Sequence, residues 1–211
     1  MDFIDNFNMR SGTINTLKSD ALVIANAFQK DTLYKSLITD DDKRKGALPI
    51  FFESYMGMFP EAKFLYSTEN KESIAFIFVP NAKINKIESF KAKAKGMLKL
   101  LTMIKVLNIK ELYSFLNGIH NNSSVWIENH IKGDFIHIDL IVTKEKHKGM
   151  GYASEIIKKV IDIADELKVP ITLETQNIDN IKYYEKFGFE IVEKQKYKEI
   201  IQYDMIRYKK L

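Results

Sequence analysis

The stretch 134–175, "DFIHIDLIVTKEKHKGMGYASEIIKKVIDIADELKVPITLET", changes its hydrophobic period twice, and this constrains the fold more than any other feature. Residues 134–142 alternate as a strand does, with side chains pointing to opposite faces in turn. Residues 150–168 switch to helical spacing, with Ala153, Ile156, Ile157, Val160, Ala164 and Leu167 on one stripe. "ITLET" (171–175) returns to a strand. A short helix over 178–187, stopped by Gly188, comes next, and "FEIVEKQKY" and "IIQYDMIRY" close as two strands. Strand, helix, strand, helix and a final hairpin make an α/β arrangement in which helices cover a sheet.

Between the first strand and its helix lie Lys144, Lys146, His147 and Lys148, then Gly149 and Gly151. Glycine lets the backbone approach a ligand closely and is costly to keep beside a helix. A helix start offers amides that the helix itself does not use, at the positive end of its dipole. The pair predicts an anion site, and a phosphate first of all.

The preceding half is less sharply patterned. A short N-terminal strand is expected first, and helices are expected at 20–28, 31–38 and 41–59, with Asp31 and Asp41 as N-caps of the last two. "AKFLYST" and "SIAFIFVP" read as a hairpin. Residues 86–108 read as a long lysine-rich helix or helix pair, with a short helical piece near 111–117. The apolar runs "FFESYMGMF" and "GMLKLLTM" suit either a core or an acceptor pocket.

Composition excludes several chemistries. The 211 residues contain no cysteine, which removes thiol nucleophiles, thiolate metal sites and a disulfide framework, and suits a cytoplasmic address. No apolar run reaches membrane-spanning length. A net charge of +4, with lysines interleaved among 28 acids, reads as a solvated surface. No repeat or linker interrupts the chain, so one domain is expected over 1–211.

An ATP-type phosphate loop needs Gly-Lys-Ser/Thr after its spacer. Here Lys148 precedes Gly149 and Tyr152 follows Gly151, so that loop is absent. A dinucleotide fingerprint needs a third glycine at its own spacing. What does fit is a basic residue, two positions, Gly, one position, Gly, at Lys146, Gly149 and Gly151. With "LETQN" and "YYEKFGF" downstream, the last part of the chain resembles the GNAT acetyltransferase superfamily. The resemblance implies a GNAT-type mixed, mostly antiparallel central sheet of six to seven strands flanked by helices. It also implies an acceptor-side half over 1–125 and an acetyl-CoA-binding half over 126–211.

Carried over residue by residue, the resemblance assigns acetyl-CoA's diphosphate to the loop Lys146, His147, Lys148, Gly149, Met150, Gly151, Tyr152 and Ala153. The pantetheine arm falls to the backbone of Leu140, Ile141 and Val142, where an N–H would also face the developing oxyanion. Asn177 and Asn180 stand where the family places amides near the cofactor, although Asn177 would equally cap a helix. Tyr184 stands where the family places the acid for the leaving thiolate; a packing role for it and Tyr183 is the alternative.

Alternation on 134–142 puts Phe135, His137, Asp139 and Ile141 on one face. His137 is a candidate base, as are Asp139 and, on the next strand, Glu174; a hydrogen-bonded buried pair is the other account of His137 and Asp139. No zinc spacing is present, so no metal is expected. The expected activity is direct acetyl transfer from acetyl-CoA to an amine of a small molecule or peptide in a ternary complex, by a monomer or homodimer without nucleic-acid or membrane partners. The alternative is a CoA-binding sensor of the same fold.

Overall fold

The computed structural model describes residues 14–68, 70–80 and 85–209. The helix expected at 20–28 begins already at Ile14, so no strand directly precedes residue 20, and anything ahead of residue 14 lies outside the described residues. Three helices come first: α1 (Ile14–Phe28), α2 (Thr32–Leu37) and α3 (Asp41–Gly57). Asp31 caps α2, its carboxylate accepting the Leu33 amide at 2.9 Å. The cap of α3 is Asp40 rather than Asp41: Asp40 has an extended backbone and accepts from Lys43 N at 2.8 Å. Asp41 instead sits in the first turn and pairs with the buried guanidinium of Arg44. A cap must stay outside the helix for its side chain to reach back to the third amide, which Asp41 cannot do.

The hairpin β1 (Lys63–Tyr66) and β2 (Ser73–Phe78) precedes α4 (Lys86–Leu101), a 3-10 turn over 102–105 and α5 (Ile109–His120). A one-turn helix α6 (Ile127–His130) leads into β3 (Ile136–Thr143), α7 (Tyr152–Leu167), β4 (Ile171–Thr175), α8 (Ile178–Glu185), β5 (Glu190–Tyr197) and β6 (Ile200–Arg207). The six strands form one sheet in the order β1-β2-β3-β4-β6-β5, and only β3 and β4 run parallel.

Each face of the sheet carries its own core. On one, α7 lays Ile156, Ile157, Val160 and Ala164 against Ile136, Ile138, Ile171 and Leu173. On the other, α1–α3 and α5 bring Phe52, Leu48 and Phe115 onto Phe76, Leu140 and Val142. Burying one large apolar side chain contributes about 1.5–3 kcal/mol. A sheet packed on both faces therefore holds the strand ends rigidly where they open.

Two irregularities interrupt β3. Phe76 pairs with Leu140 but Ile77 pairs with Ile138, so Asp139 is an extra residue in the ladder. This bulge breaks the expected alternation. Ile141 packs with the α7-side core, whereas Asp139 turns to α3 along with Leu140 and Val142. In addition, β3 pairs with β4 only from Ile136 to Ile138, and beyond that the two strands separate.

Candidate active site

The gap between β3 and β4 opens into a cleft of about 260 Å³. Its floor is formed by residues 138–141 of β3, 173–175 of β4 and Gln176 just after it, with Asn180 and Tyr184 of α8 to one side. The opposite wall is aromatic and comes from the first three helices: Phe28, Tyr34, Phe51, Phe52 and Tyr55. Three carboxyl groups reach it, those of Asp31, Asp139 and Glu174; no lysine or arginine among the described residues lines it.

Of the candidate acid and base residues, Asp139, Glu174 and Tyr184 line the cleft and His137 does not. His137 is buried behind the two carboxylates, its Nε2 3.5 Å from Glu174 Oε2 and 3.7 Å from Asp139 Oδ1. Ser124 Oγ lies 3.1 Å from the same nitrogen, and Thr172 Oγ1 lies 2.9 Å from Nδ1. Burial alone pushes the imidazole's pKa down; the charges of Glu174 and Asp139 outweigh it and hold the ring above its ordinary range.

Each carboxylate has a second anchor that sequence reading misses. Trp126 Nε1 donates to Glu174 Oε1 at 2.5 Å, and the Tyr55 hydroxyl donates to Asp139 Oδ1 at 2.8 Å. Asp139 Oδ2 is buried without a protein partner, so it retains an unused acceptor. Burial pushes the Tyr55 and Tyr34 hydroxyls well above the usual phenol range, and Asp139 adds to both. The Tyr184 hydroxyl is likewise raised, by burial first and by Tyr183 second, so it keeps its proton at neutral pH. Tyr184 also packs edge-on against Phe189 in the α7-side core.

Directly across the β4–β6 ladder from Glu174 is Asp204, which is fully buried. Burial pushes its carboxyl up to about 6, against the pull of the Gln195 and Gln202 amides, with Glu174 and Glu193 adding to the rise. Those amides donate to it at 2.7 and 2.8 Å.

The glycine loop stands at the far end of β3. Gly149 (φ 78°) and Gly151 (φ 90°) are both left-handed, and a Cβ added at either would meet nothing within 4 Å. Gly151 is the N-cap of α7, so no side chain caps that helix. Its first amides face the open loop at the positive end of a 16-residue dipole, and an anion with several oxygens fits there. Lys146 and His147 lie in a 3-10 turn just before the loop, and Lys148 pairs with Glu145 at 2.7 Å. Asn177 caps α8, accepting from Asp179 N at 3.0 Å, while Asn180 donates to Thr175 Oγ1 at 3.3 Å at the cleft. Leu140 and Ile141 line the cleft, and Val142 is buried against the α3 side. Among the described residues, no group of three or more His, Cys, Asp or Glu is placed to hold a metal ion.

Residues 109–189, from the start of α5 to the end of the α8 turn, match the acetyltransferase (GNAT) family. Over that segment the chain is similar to the GNAT acetyltransferases. A likeness in fold to solved structures extends beyond the matched segment. The structure of histone acetyltransferase HPA2 and related acetyltransferase from Corynebacterium glutamicum superposes with a TM-score of 0.65 over 96% of each chain, at 13% identity. The C-terminal condensation domain of Ebony, in complex with beta-alanyl-dopamine, superposes with a TM-score of 0.56 over 94% of this chain and 97% of its own, at 10% identity. A search of curated proteins finds no match.

Proposed function

We propose that this chain is a GNAT-type, acetyl-CoA-dependent N-acetyltransferase acting in the cytoplasm on a small-molecule or peptide amine, by direct transfer in a ternary complex. The observation that carries the reading is the separation of β3 from β4 beyond Ile138, with Asp139, Glu174 and Tyr184 around the opening and an uncapped glycine loop at its far end.

When bound, acetyl-CoA supplies an activated thioester carbonyl. Everything else falls to the chain. The amides of Gly149 to Ala153 would hold the diphosphate, and the open edge of β3 after Ile138 would hold the arm in extended form. An ammonium entering between the aromatic wall and the carboxylates is attracted by both. Glu174 is the proposed base: it faces the cleft, and Trp126 and His137 hold it from behind. Glu174 first takes a proton from the ammonium. The free amine then bonds to the carbonyl carbon, and the C–S bond breaks as Tyr184 gives its proton to the departing sulfur. The second proton on nitrogen returns to the Tyr184 oxygen, while Glu174 releases its own to water. His137 acts as a positioning residue, because it does not reach the cleft.

Calorimetric titration of acetyl-CoA, followed by thiol release over an amine panel, tests this. Binding that requires the diphosphate, fails in Gly151→Asp and leads to amine-dependent thiol release is the expected result. Binding without turnover of any amine would favour the sensor reading. Absence of binding would remove both.

A further inference from the structure

Helix α4 buries only Gly96 and Leu100 and exposes most of its large apolar side chains. It packs on α3 through Gly96 and Leu100, with Gly96 so close that an added Cβ would sit 2.8 Å from the Ser54 carbonyl oxygen and against Met58. Turned outward are Ile87 (64% exposed), Phe90 (73%), Met97 (52%), Leu98 (69%) and Leu101 (50%). At 100° per residue these side chains fall within a single arc of roughly 100°, with Ala94 in its middle. Exposed lysines flank the arc on both sides, Lys91 and Lys95 along one edge and Lys86 and Lys93 along the other. From residue 86 to 110 there are seven lysines and one acid, Glu88. Ile104, 57% exposed, carries the ridge on into the following turn.

We propose that this ridge docks on a lipid bilayer surface carrying anionic headgroups. A contiguous apolar face of this kind is not left in water without a partner. The ridge is convex, a single helix standing on α3, and it is about 24 Å long at 1.5 Å per residue. It can sink to the level of the acyl boundary while the lysines on both edges reach up to the headgroup phosphates. A second copy fits poorly, because laying ridge on ridge sets lysine edges against lysine edges. Nucleic acid fits poorly too, because five apolar side chains separate the two lysine rows. The lack of a spanning run in the sequence argues against a membrane partner, and among the described residues no helix is long and apolar enough to cross. An interfacial helix needs no such run. The proposal does not depend on the enzymatic reading, since α4 contributes nothing to the β3–β4 cleft.

The test is co-sedimentation of the full-length protein with phosphatidylcholine vesicles, with and without phosphatidylglycerol. Binding is expected only with the anionic lipid, and it should weaken as NaCl rises from about 0.05 to about 0.5 M. Phe90→Glu with Leu98→Glu should cut partitioning roughly tenfold or more. Lys91→Glu with Lys95→Glu, which leaves the ridge intact, should cut it roughly fivefold per lysine. Both pairs are exposed, so unchanged circular dichroism and thermal midpoints will certify the fold. No co-sedimentation at low salt overturns the proposal. So does equal binding to neutral vesicles, or a concentration-dependent dimer in light scattering that Phe90→Glu abolishes.

Discussion

The indole Nε1–H of Trp126 donates to Glu174 Oε1 at 2.5 Å, from a turn 48 residues earlier in the chain. The contact fixes one oxygen of Glu174, and His137 faces the other at 3.5 Å, so the carboxylate has one orientation at the mouth of the β3–β4 gap. Glu174→Gln should lower kcat/KM for amine acetylation roughly hundredfold or more while leaving acetyl-CoA affinity unchanged. Trp126→Phe keeps the bulk and removes the donor. It should lower kcat by roughly tenfold, about one charged hydrogen bond. Stopped assays of thiol release with both variants check this; a Glu174→Gln enzyme of full activity would move the base elsewhere.

Tyr184 is buried, keeps its proton and lines the cleft. Tyr184→Phe preserves its packing against Phe189, so stability should hold within about 1 kcal/mol. If the hydroxyl protonates the leaving thiolate, kcat should fall roughly hundredfold with calorimetric affinity for acetyl-CoA intact. Unchanged kcat would reduce Tyr184 to a packing residue.

Asp204 gives a pH signature in stability. Its folded pKa, about 6, lies above the ordinary carboxyl value of 3.8, so the folded state binds the proton more tightly than the unfolded chain. Its stabilising contribution is therefore complete below about pH 4 and is lost as pH rises through about 6. Asp204→Asn should flatten this part of the curve, raising the thermal midpoint relative to wild type at pH 8 more than at pH 4. Thermal denaturation across pH 4 to 8 measures it; parallel curves would sink the assignment.

Gly96 sets how closely α4 lies on α3. Gly96→Leu has no room, because even a Cβ meets the Ser54 carbonyl and Met58. A loss of about 1–3 kcal/mol is expected in urea unfolding, as for other overpacked contacts. Gly149 and Gly151 offer the contrast: a side chain there has open space, and the cost comes from the positive φ alone.

How much of the molecule is legible in its sequence differs by element. The helix at α7, strands β3 and β4, helix α8 and the final hairpin follow from hydrophobic period and stop signals contained within a dozen residues, and so does the loop before α7. The cap of α3 lies one residue from the expected aspartate, because adjacent Asp40, Asp41 and Asp42 are chemically equivalent and only backbone conformation separates them. Tyr55 and Trp126 escape a sequence reading because their partners are 84 and 48 residues away. The one available signal is that Trp126 is the only tryptophan in the chain. "GMLKLLTM" reads as core or pocket, yet Met97, Leu98 and Leu101 face outward, since apolar spacing marks a face without saying which side is covered.

By itself, then, the sequence determined the strand and helix order of the C-terminal half from β3 to β6 and that two glycines precede α7, because these depend on local backbone preference and periodicity. It missed the start of α1 at Ile14 and the short helix α6. Tertiary structure alone decided which side chains meet at the cleft. The bulge at Asp139 turns that carboxylate toward Tyr55, and the parting of β3 from β4 after Ile138 exposes Glu174 while leaving His137 behind it. Both arise from how two cores press on the two faces of one sheet, a balance of long-range packing that no short window of sequence contains.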